Sequence, residues 1–284
     1  MKSQNCIFIS IDSRFLSILT VCLSSIAKNY PNHPDIIVCH TNLTEKDINR
    51  LKGIVPLTVI HNTLRGTEIG PIMKHLPKYL DPKVFYARLL IWRDPIFQEY
   101  NNVLYLDADT VVLDDCDAIF LHHQFYIEQE SYTWEDQIFI NNNEHQLLHM
   151  AQVDDISIWG IAWNAGVFML PKKYNTQEVL HELLSILSKY TKFIKWADQS
   201  VLAIWLLKHR FLPSKNTIYN FQHRLVVDPK FDTDFAKAKI IHFNWVPTLY
   251  RLLCMRLWLY LFSSRMWRKI YRLVYHILQI TFSR

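Results

Sequence analysis

Short apolar segments alternate with helical patterns through the N-terminal part of the chain. Phe15–Ala27 and Thr44–Lys52 carry apolar residues at helical spacing, and each lies between apolar runs short enough for buried strands. These runs are Cys6–Ile11, Ile36–Cys39 and Leu57–Ile60. Strand–helix alternation of this kind predicts an α/β fold with a parallel sheet and helices on its faces.

Further strands and helices are predicted downstream. Hydrophobic residues make up 50% of the chain, which is enough for a large core. The predicted strands are Val103–Leu106, Phe125–Ile127 and Val167–Leu170. The predicted helices are Val84–Trp92, Val179–Leu187 and Gln199–Lys208.

The positive charge is concentrated at the C-terminal end. After residue 234 there are nine Lys or Arg residues and no Asp or Glu, whereas the preceding part has an excess of acidic residues. Such asymmetry predicts an acidic partner for the tail, either a membrane surface or a nucleic acid. Across Arg265–Gln279, basic and apolar residues fall on different sides of a helix, which is typical of helices in a membrane interface.

We therefore predict a folded domain over residues 1–246 and a basic, aromatic-rich amphipathic helical tail over residues 247–284. Trp258 and Trp267 suit the depth of a membrane interface. The alternative is a C-terminal helix that packs on the domain and keeps a basic face in water. Apolar residues outnumber basic ones in the tail, so we favour an anionic membrane over a nucleic acid as its partner.

Cysteine usage and the N-terminus bear on the compartment. The five cysteines are scattered without a CxxC pair, which favours a reducing compartment over a disulfide framework. The first apolar run stops at Asp12, unlike a signal peptide, and no run approaches the ~18 residues of a spanning helix. We expect a cytoplasmic protein that associates peripherally with the inner face of the membrane.

The Asp-x-Asp motif is the segment most informative about chemistry. Val103–Leu106 runs directly into Asp107-Ala108-Asp109, which places two carboxylates at the end of a buried strand. Ligands bind at this edge in open α/β sheets. Two acids so close repel each other unless a cation lies between them, and oxygen ligands suit Mg²⁺ or Mn²⁺. Such a metal can neutralise a diphosphate and help it to leave.

Two other interpretations of this motif remain open at this point. It could be an acidic turn, because further aspartates follow at Asp114, Asp115 and Asp117. It also fits the Asp-x-Asp-x-Thr loop of haloacid-dehalogenase-type phosphatases, with Thr110 as the threonine. In that case Asp107 would be a nucleophile.

Four other motifs accompany the Asp-x-Asp in a characteristic order. Tyr86-Ala87-Arg88 precedes it, and Asn164-Ala165-Gly166, Asp198-Gln199 and His242-Phe243 follow it, with Asn164-Ala165-Gly166 expected just before a strand. In this combination the chain resembles glycosyltransferase family 8, up to about residue 245. That family includes bacterial lipopolysaccharide galactosyl- and glucosyltransferases and the glycogenins. A phosphatase would explain only the first acidic pair.

The resemblance implies a fold, an activity and a cofactor. The fold would be GT-A, a Rossmann-like nucleotide-diphospho-sugar transferase with a mixed sheet, over residues 1–246. The enzyme would be a retaining, Mn²⁺- or Mg²⁺-dependent glycosyltransferase that uses a UDP-sugar and a glycan or lipid-linked saccharide acceptor. A catalytically inactive sugar-nucleotide-binding membrane protein is the non-enzymatic alternative.

The resemblance also assigns roles to individual residues. The metal would be held by Asp107, Asp109 and His242. Gln199 would lie near the anomeric carbon and shape the catalytic centre together with Asp198. The residues expected to contact the donor are Asp12, Arg88, Asp107, Ala108, Asp109, Asn164, Ala165, Asp198 and Gln199.

The sequence departs from the family pattern in two places. After His242-Phe243 the family continues to a Gly and a Lys-Pro-Trp, whereas here Asn244 and Trp245 follow and only Pro247 corresponds. That Lys assists the leaving diphosphate, and no motif supports Arg251 as its substitute. The family's acidic residue before Asn-Ala-Gly has three candidates here: Glu128, Glu130 and Asp136.

Overall fold

The computed structural model describes most of the 284-residue chain. The described residues are 4–62, 86–133, 149, 152, 161–191, 197–212, 214–215, 218–223, 232–244 and 248–260. Their strands are β1 (Asn5–Ile11), β2 (Asp35–His40), β3 (Thr58–His61), β4 (Asn102–Leu106), β5 (Thr110–Val112), β6 (Tyr126–Thr133), β7 (Ile161–Pro171), β8 (Phe221–Gln222) and β9 (Ile240–His242).

The helices of the described residues include short and long elements. The α-helices are α1 (Leu16–Asn29), α2 (Glu45–Lys52), α3 (Leu90–Arg93), α4 (Gln177–Tyr190), α5 (Ala197–Lys208), α6 (Asp232–Phe235) and α7 (Thr248–Tyr260). Short 3₁₀ helices occur at Ser13–Phe15, Tyr86–Leu89, Pro95–Glu99, Asp117–Leu121 and Lys172–Tyr174.

The main sheet is mixed. Its strand order is β3-β2-β1-β4-β7-β6. The four strands from β3 to β4 are parallel, as the strand–helix alternation predicts, whereas β7 is antiparallel to both of its neighbours. The parallel half brings the carboxyl ends of β1 and β4 to one edge, where Asp12 and Asp107 follow their strands.

A smaller sheet joins the C-terminal part of the chain to this edge. Its order is β5-β9-β8, and the β5–β9 pairing is antiparallel. In this register Thr110 of β5 lies opposite His242 of β9. The pairing therefore brings the histidine next to the Asp-x-Asp, although more than a hundred residues separate them in sequence.

Apolar cores lie on both faces of the main sheet. Because side chains alternate along β1, Phe8 belongs to one core and Ile7 and Ile9 to the other. Helices α4 and α5 cover the first core, and Trp205 of α5 is fully buried in it. Helices α1 and α7 cover the second.

Hydrogen bonds between residues close in sequence fix the start of α2. At the start of α2, the hydroxyl of Thr44 accepts from the Asp47 N–H, and the Asp47 carboxylate accepts from the Thr44 N–H. This reciprocal pair satisfies two donors that would otherwise have no partner.

Some predicted elements take a different form. In its described part, the helix predicted over Val84–Trp92 is a 3₁₀ turn followed by the single turn α3. This turn ends at Arg93 because Asp94 is extended before Pro95. Asn164-Ala165-Gly166 lies inside β7, not before a strand. The prediction failed because β7 bulges there: its partner in β6 moves from Ile127 opposite Phe168 to Glu128 opposite Asn164.

The first part of the predicted tail packs on the domain. Helix α7 lies against α1, and its Cys254, Met255 and Trp258 are buried. The interpretation of Trp258 as an interfacial anchor was wrong, because its ring packs 5.3 Å from that of Phe235. Residues 261–284, with the Arg265–Gln279 pattern and Trp267, lie outside the described residues. Among the described helices, none is both long enough and apolar enough to span a bilayer.

Candidate metal centre

Three predicted ligands meet at the edge of the main sheet. Asp107 and Asp109 follow β4, and His242 ends β9. The His242 Nε2 atom lies 3.5 Å from Asp107 Oδ2 and 3.2 Å from Asp109 Oδ1. In the described part of the chain, these residues form a group whose candidate ligand atoms all lie within 4.8 Å of one another.

The spacing and chemistry of this group fit a divalent cation. Ligand atoms that lie ~2.1 Å from a metal on neighbouring corners of an octahedron are ~3.0 Å apart. The distances from His242 Nε2 to the Asp109 and Asp107 oxygens, 3.2 and 3.5 Å, are close to this value. Two carboxylates and one imidazole are a donor set that Mn²⁺ accepts readily. Asp107 is the most exposed of the three, with 27% of its side chain accessible, so the group opens to solvent on that side.

The three ligands also stabilise one another electrostatically. Burial disfavours the imidazolium of His242, but the carboxylates of Asp109 and Asp107 more than offset this effect and raise its pKa. Burial likewise opposes ionisation of Asp109, yet His242 and Arg251 lower its pKa. Since a metal ligand must be a neutral imidazole, a cation bound here would replace the proton on His242.

Gly166 makes the close approach of these residues sterically feasible. A Cβ atom at this position would overlap His242 Cε1 and lie 2.6 Å from His242 Nδ1 and 2.8 Å from Asp107 Oδ2. The Gly166 carbonyl accepts from the Asp107 N–H at 2.7 Å, which fixes the first residue of the Asp-x-Asp against β7.

Arg88 connects the metal centre to the start of α5. Its Nη2 donates to Asp107 Oδ1 at 3.0 Å, its Nη1 donates to the Ala165 carbonyl at 3.0 Å, and its Nε lies 2.8 Å from Asp198 Oδ2. Its guanidinium also lies over the Tyr105 ring, 4.6 Å from the centroid. Arg88 is buried, so it is not a surface salt-bridge residue.

Asp198 and Gln199 lie next to Asn164-Ala165-Gly166. The Gln199 Oε1 atom accepts from the Ala165 N–H at 3.2 Å, and Asn164 Oδ1 accepts from the Gly166 N–H at 2.9 Å. Burial raises the pKa of Asp198 to about 7, although Arg88 partly opposes this shift. The structure thus brings the Tyr-x-Arg, Asp-x-Asp, Asn-Ala-Gly, Asp-Gln and His-Phe motifs together.

Two further residues, Ala108 and Asp12, are predicted to contact the donor. Ala108 is buried and lies between Asp107 and Asp109 in sequence. Asp12 is buried after β1, where its carboxylate accepts from the backbone N–H and the Nε of Arg14, each at 2.8 Å. The donor contact expected of Asp12 stays a prediction.

Sequence reasoning found Arg251 and Glu128 only as unsupported candidates. Arg251 of α7 places Nη1 2.8 Å from Asp109 Oδ2. Glu128 is buried and accepts from Tyr126 Oη at 2.7 Å and from the Tyr219 and Asn220 N–H groups at 2.8 and 2.7 Å. Asp136 and the Glu130 side chain lie outside the described residues. Asn220 carries no sequence signal.

Glu128 should give the stability of the protein a distinctive pH dependence. Burial raises its pKa from 4.5 to about 7, although hydrogen bonds from Tyr219, Tyr126 and Asn220 oppose the shift. The folded state therefore retains a proton that the unfolded state releases, and its contribution to the free energy of unfolding falls between these pH values, by up to about 3 kcal/mol. Chemical denaturation from pH 4.5 to 7 should show this fall in the wild type relative to Glu128→Gln. Parallel profiles for the two proteins would contradict it.

Comparisons with known proteins agree with this arrangement. The family model described as Glycosyl transferase family 8 matches residues 6–246. Galactinol synthase 1 of Arabidopsis thaliana is 23% identical over 168 residues, which cover 56% of this chain and 46% of that protein. Galactinol synthase 2 of Solanum lycopersicum is 24% identical over 166 residues, which cover 56% of this chain and 46% of that protein. The chain spans about half the length of the curated relatives it matches.

Solved structures share the fold at low sequence identity. The galactosyltransferase LgtC, in complex with donor and acceptor sugar analogs, has a TM-score of 0.60 at 16% identity and covers 93% of this chain and 99% of its own. The glycosyltransferase GlyE of Streptococcus pneumoniae has a TM-score of 0.56 at 16% identity. The match covers 98% of this chain and 64% of the GlyE chain. The phosphatase interpretation of the Asp-x-Asp receives no support. The chain belongs to glycosyl transferase family 8 and has the GT-A fold that the family resemblance implies.

Proposed function

We propose that the protein is a retaining glycosyltransferase that moves a hexose from a UDP-sugar to a glycan or lipopolysaccharide-type acceptor with the help of Mn²⁺ or Mg²⁺. The observation that carries this proposal is the convergence of Asp107, Asp109 and His242 at the sheet edge beside Arg88 and Asp198. The name of the LgtC galactosyltransferase makes galactose the first sugar to test, followed by glucose.

The metal, when bound, would neutralise the donor diphosphate and favour its departure. Asp107, Asp109 and His242 would hold it, and the buried Arg88 would orient Asp107 from the opposite side. Because Arg88 spans Asp107, Ala165 and Asp198, it keeps the metal ligands and the sugar-binding segment at a fixed separation. Such preorganised charge is typically a large term in catalysis.

The geometry around Asp198 favours substitution on one face of the sugar without a covalent enzyme intermediate. The Asp198 carboxylate is buried and paired with Arg88, so it is poorly suited to act as a nucleophile. In the proposed reaction, the acceptor oxygen bonds to the anomeric carbon while the bond to the diphosphate oxygen breaks. The acceptor proton leaves on the departing UDP. Gln199, with Asp198, would shape this site.

Donor binding should be visible as thermal stabilisation that requires the metal. A ligand at 100 times its Kd stabilises the folded state by about 2.7 kcal/mol, enough for ~4 °C or more. We expect this shift for UDP-galactose or UDP-glucose with Mn²⁺ and not after chelation by EDTA, together with slow release of UDP. A panel of UDP-sugars that leaves the unfolding temperature unchanged would contradict the proposal. A shift without turnover would instead support the catalytically inactive alternative.

We also propose that residues 261–284 attach the protein to anionic membrane surfaces. This segment carries five Lys or Arg residues and no acidic ones, and each basic residue near such a surface contributes about 1 kcal/mol. Truncation must begin after Tyr260, because α7 contributes Arg251 and buried core residues. Full-length protein should sediment with phosphatidylglycerol vesicles, and the truncated protein should not. Equal sedimentation of both, or equal binding to phosphatidylcholine vesicles, would contradict the proposal.

A further inference from the structure

The metal-ligand histidine has a buried partner on its second ring nitrogen. His242 Nδ1 lies 3.0 Å from Asn220 Oδ1, while Nε2 faces Asp107 and Asp109. His242 and Asn220 are each 3% exposed, so water has little access to this contact. An amide oxygen only accepts hydrogen bonds, so Nδ1 must donate, and a neutral imidazole then has its lone pair on Nε2.

The orientation of the Asn220 amide follows from its other contacts. Its Nδ2 donates to two oxygen atoms of Asn164, the carbonyl at 3.1 Å and Oδ1 at 3.0 Å. Exchanging the amide nitrogen and oxygen would place oxygen against both of these acceptors. Asn220 Oδ1 therefore faces His242.

The buried carboxyl group of Glu128 holds the backbone at Asn220. Glu128 Oε2 accepts from the Asn220 N–H at 2.7 Å, and Oε1 accepts from the Tyr219 N–H at 2.8 Å. Tyr126 Oη donates to the same Oε1 at 2.7 Å. Glu128 belongs to β6 of the main sheet, whereas Asn220 directly precedes β8 of the smaller sheet. The Glu128 carboxyl group thus ties the two sheets together at the residue that contacts His242.

We propose that Asn220 is the positioning residue of His242 and that Glu128 anchors Asn220, an inference that rests on the metal site of the proposed function. Asn220 holds the imidazole with Nε2 toward the two carboxylates, and it connects the metal centre to Asn164. Partners on the second nitrogen of a metal-bound histidine fix the ring orientation, and their loss typically weakens metal binding ~10- to 100-fold.

Two substitutions of Asn220 separate this role from a general structural one. Asn220→Leu removes both the acceptor for His242 and the donors to Asn164. Asn220→Asp keeps an acceptor for Nδ1 but places oxygen against the Asn164 oxygens. Asn102→Leu is the matched control, because Asn102 donates to Asn5 at 2.8 Å at the other end of β4. The readouts are the Kd for Mn²⁺, from the electron paramagnetic resonance signal of free Mn²⁺, and the unfolding temperature.

We expect Asn220→Leu to raise the Kd for Mn²⁺ ~10- to 100-fold. Asn220→Asp should be less stable than the wild type but keep a Kd within about threefold, because a carboxylate commonly supports metal-bound histidines. Asn102→Leu should bind Mn²⁺ as the wild type does.

Several results would overturn the inference. An unchanged Kd for Mn²⁺ in folded Asn220→Leu would do so. A Kd that rises in Asn220→Asp in parallel with the fall in its unfolding temperature would do so as well. If Asn220→Leu does not fold, the affinity of Asn220→Asp decides alone. If the wild type and folded Asn220→Leu bind Mn²⁺ equally well, only this inference is overturned. A wild type that binds no Mn²⁺ overturns the proposed function as well.

Discussion

Replacing Asp109 by Ala is expected to lower metal-dependent release of UDP from the sugar donor on the order of 10³-fold. Asp109 is buried, and its carboxylate lies between His242 Nε2 at 3.2 Å and Arg251 Nη1 at 2.8 Å. Without it, the site loses one metal ligand, and His242 and Arg251 lose the carboxylate that lies between them. The remaining pair, Asp107 and His242, cannot hold a divalent cation against water at comparable affinity.

A matched control tests whether this loss is specific. Asp114 is an exposed carboxylate that pairs with Lys239 in the acidic turn after β5. Asp114→Ala should keep wild-type turnover, because exposed ion pairs contribute little. Rates of all three proteins should be measured at the donor and Mn²⁺ concentrations that saturate the wild type. Similar losses in the two variants would support the acidic-turn interpretation over a metal site.

Gly166→Ala is expected to abolish tight Mn²⁺ binding although it alters no ligand. The added methyl group would overlap the His242 ring and lie 2.8 Å from Asp107 Oδ2. His242 is buried against Asn220, so its ring cannot retreat without breaking that contact. We expect the Kd for Mn²⁺ to rise more than about 10-fold and the protein to lose ~1–3 kcal/mol of stability.

Gly53→Ala provides the corresponding control for an added methyl group. A Cβ atom at Gly53, after α2, would lie 3.4 Å from the Arg50 carbonyl, which is ordinary van der Waals contact. This variant should bind Mn²⁺ as the wild type does in calorimetric titrations. If Gly166→Ala also binds Mn²⁺ normally, then His242 is not held against Asp107 as the structure shows it.

The parallel half of the fold follows from patterns that are local in sequence. The runs Cys6–Ile11 and Val103–Leu106 each become a buried strand, and the acidic residues after them reach the same sheet edge because parallel strands share their carboxyl ends. Periodicity does not report the bulge in β7. It therefore cannot show that Asn164-Ala165-Gly166 continues the strand beneath Asp107.

The parts of the site that the sequence did not reveal, or named without support, depend on contacts between distant segments. Arg251 reaches Asp109 because α7 packs on α1, a tertiary contact that apolar spacing in α7 does not specify. Asn220 lies between Tyr219 and Phe221 without a motif, and it contacts His242 through a side-chain amide. Motif order could therefore identify the candidate metal ligands that the structure brings together, whereas the groups that contact them required the three-dimensional structure.

Anomalous diffraction at the manganese edge, from crystals grown with Mn²⁺ and UDP, would locate the cation itself. We predict one strong peak within ligand distance of Asp107, Asp109 and His242 Nε2, with His242 Nδ1 still on Asn220. A peak elsewhere, or an imidazole turned away from both carboxylates, would contradict the account.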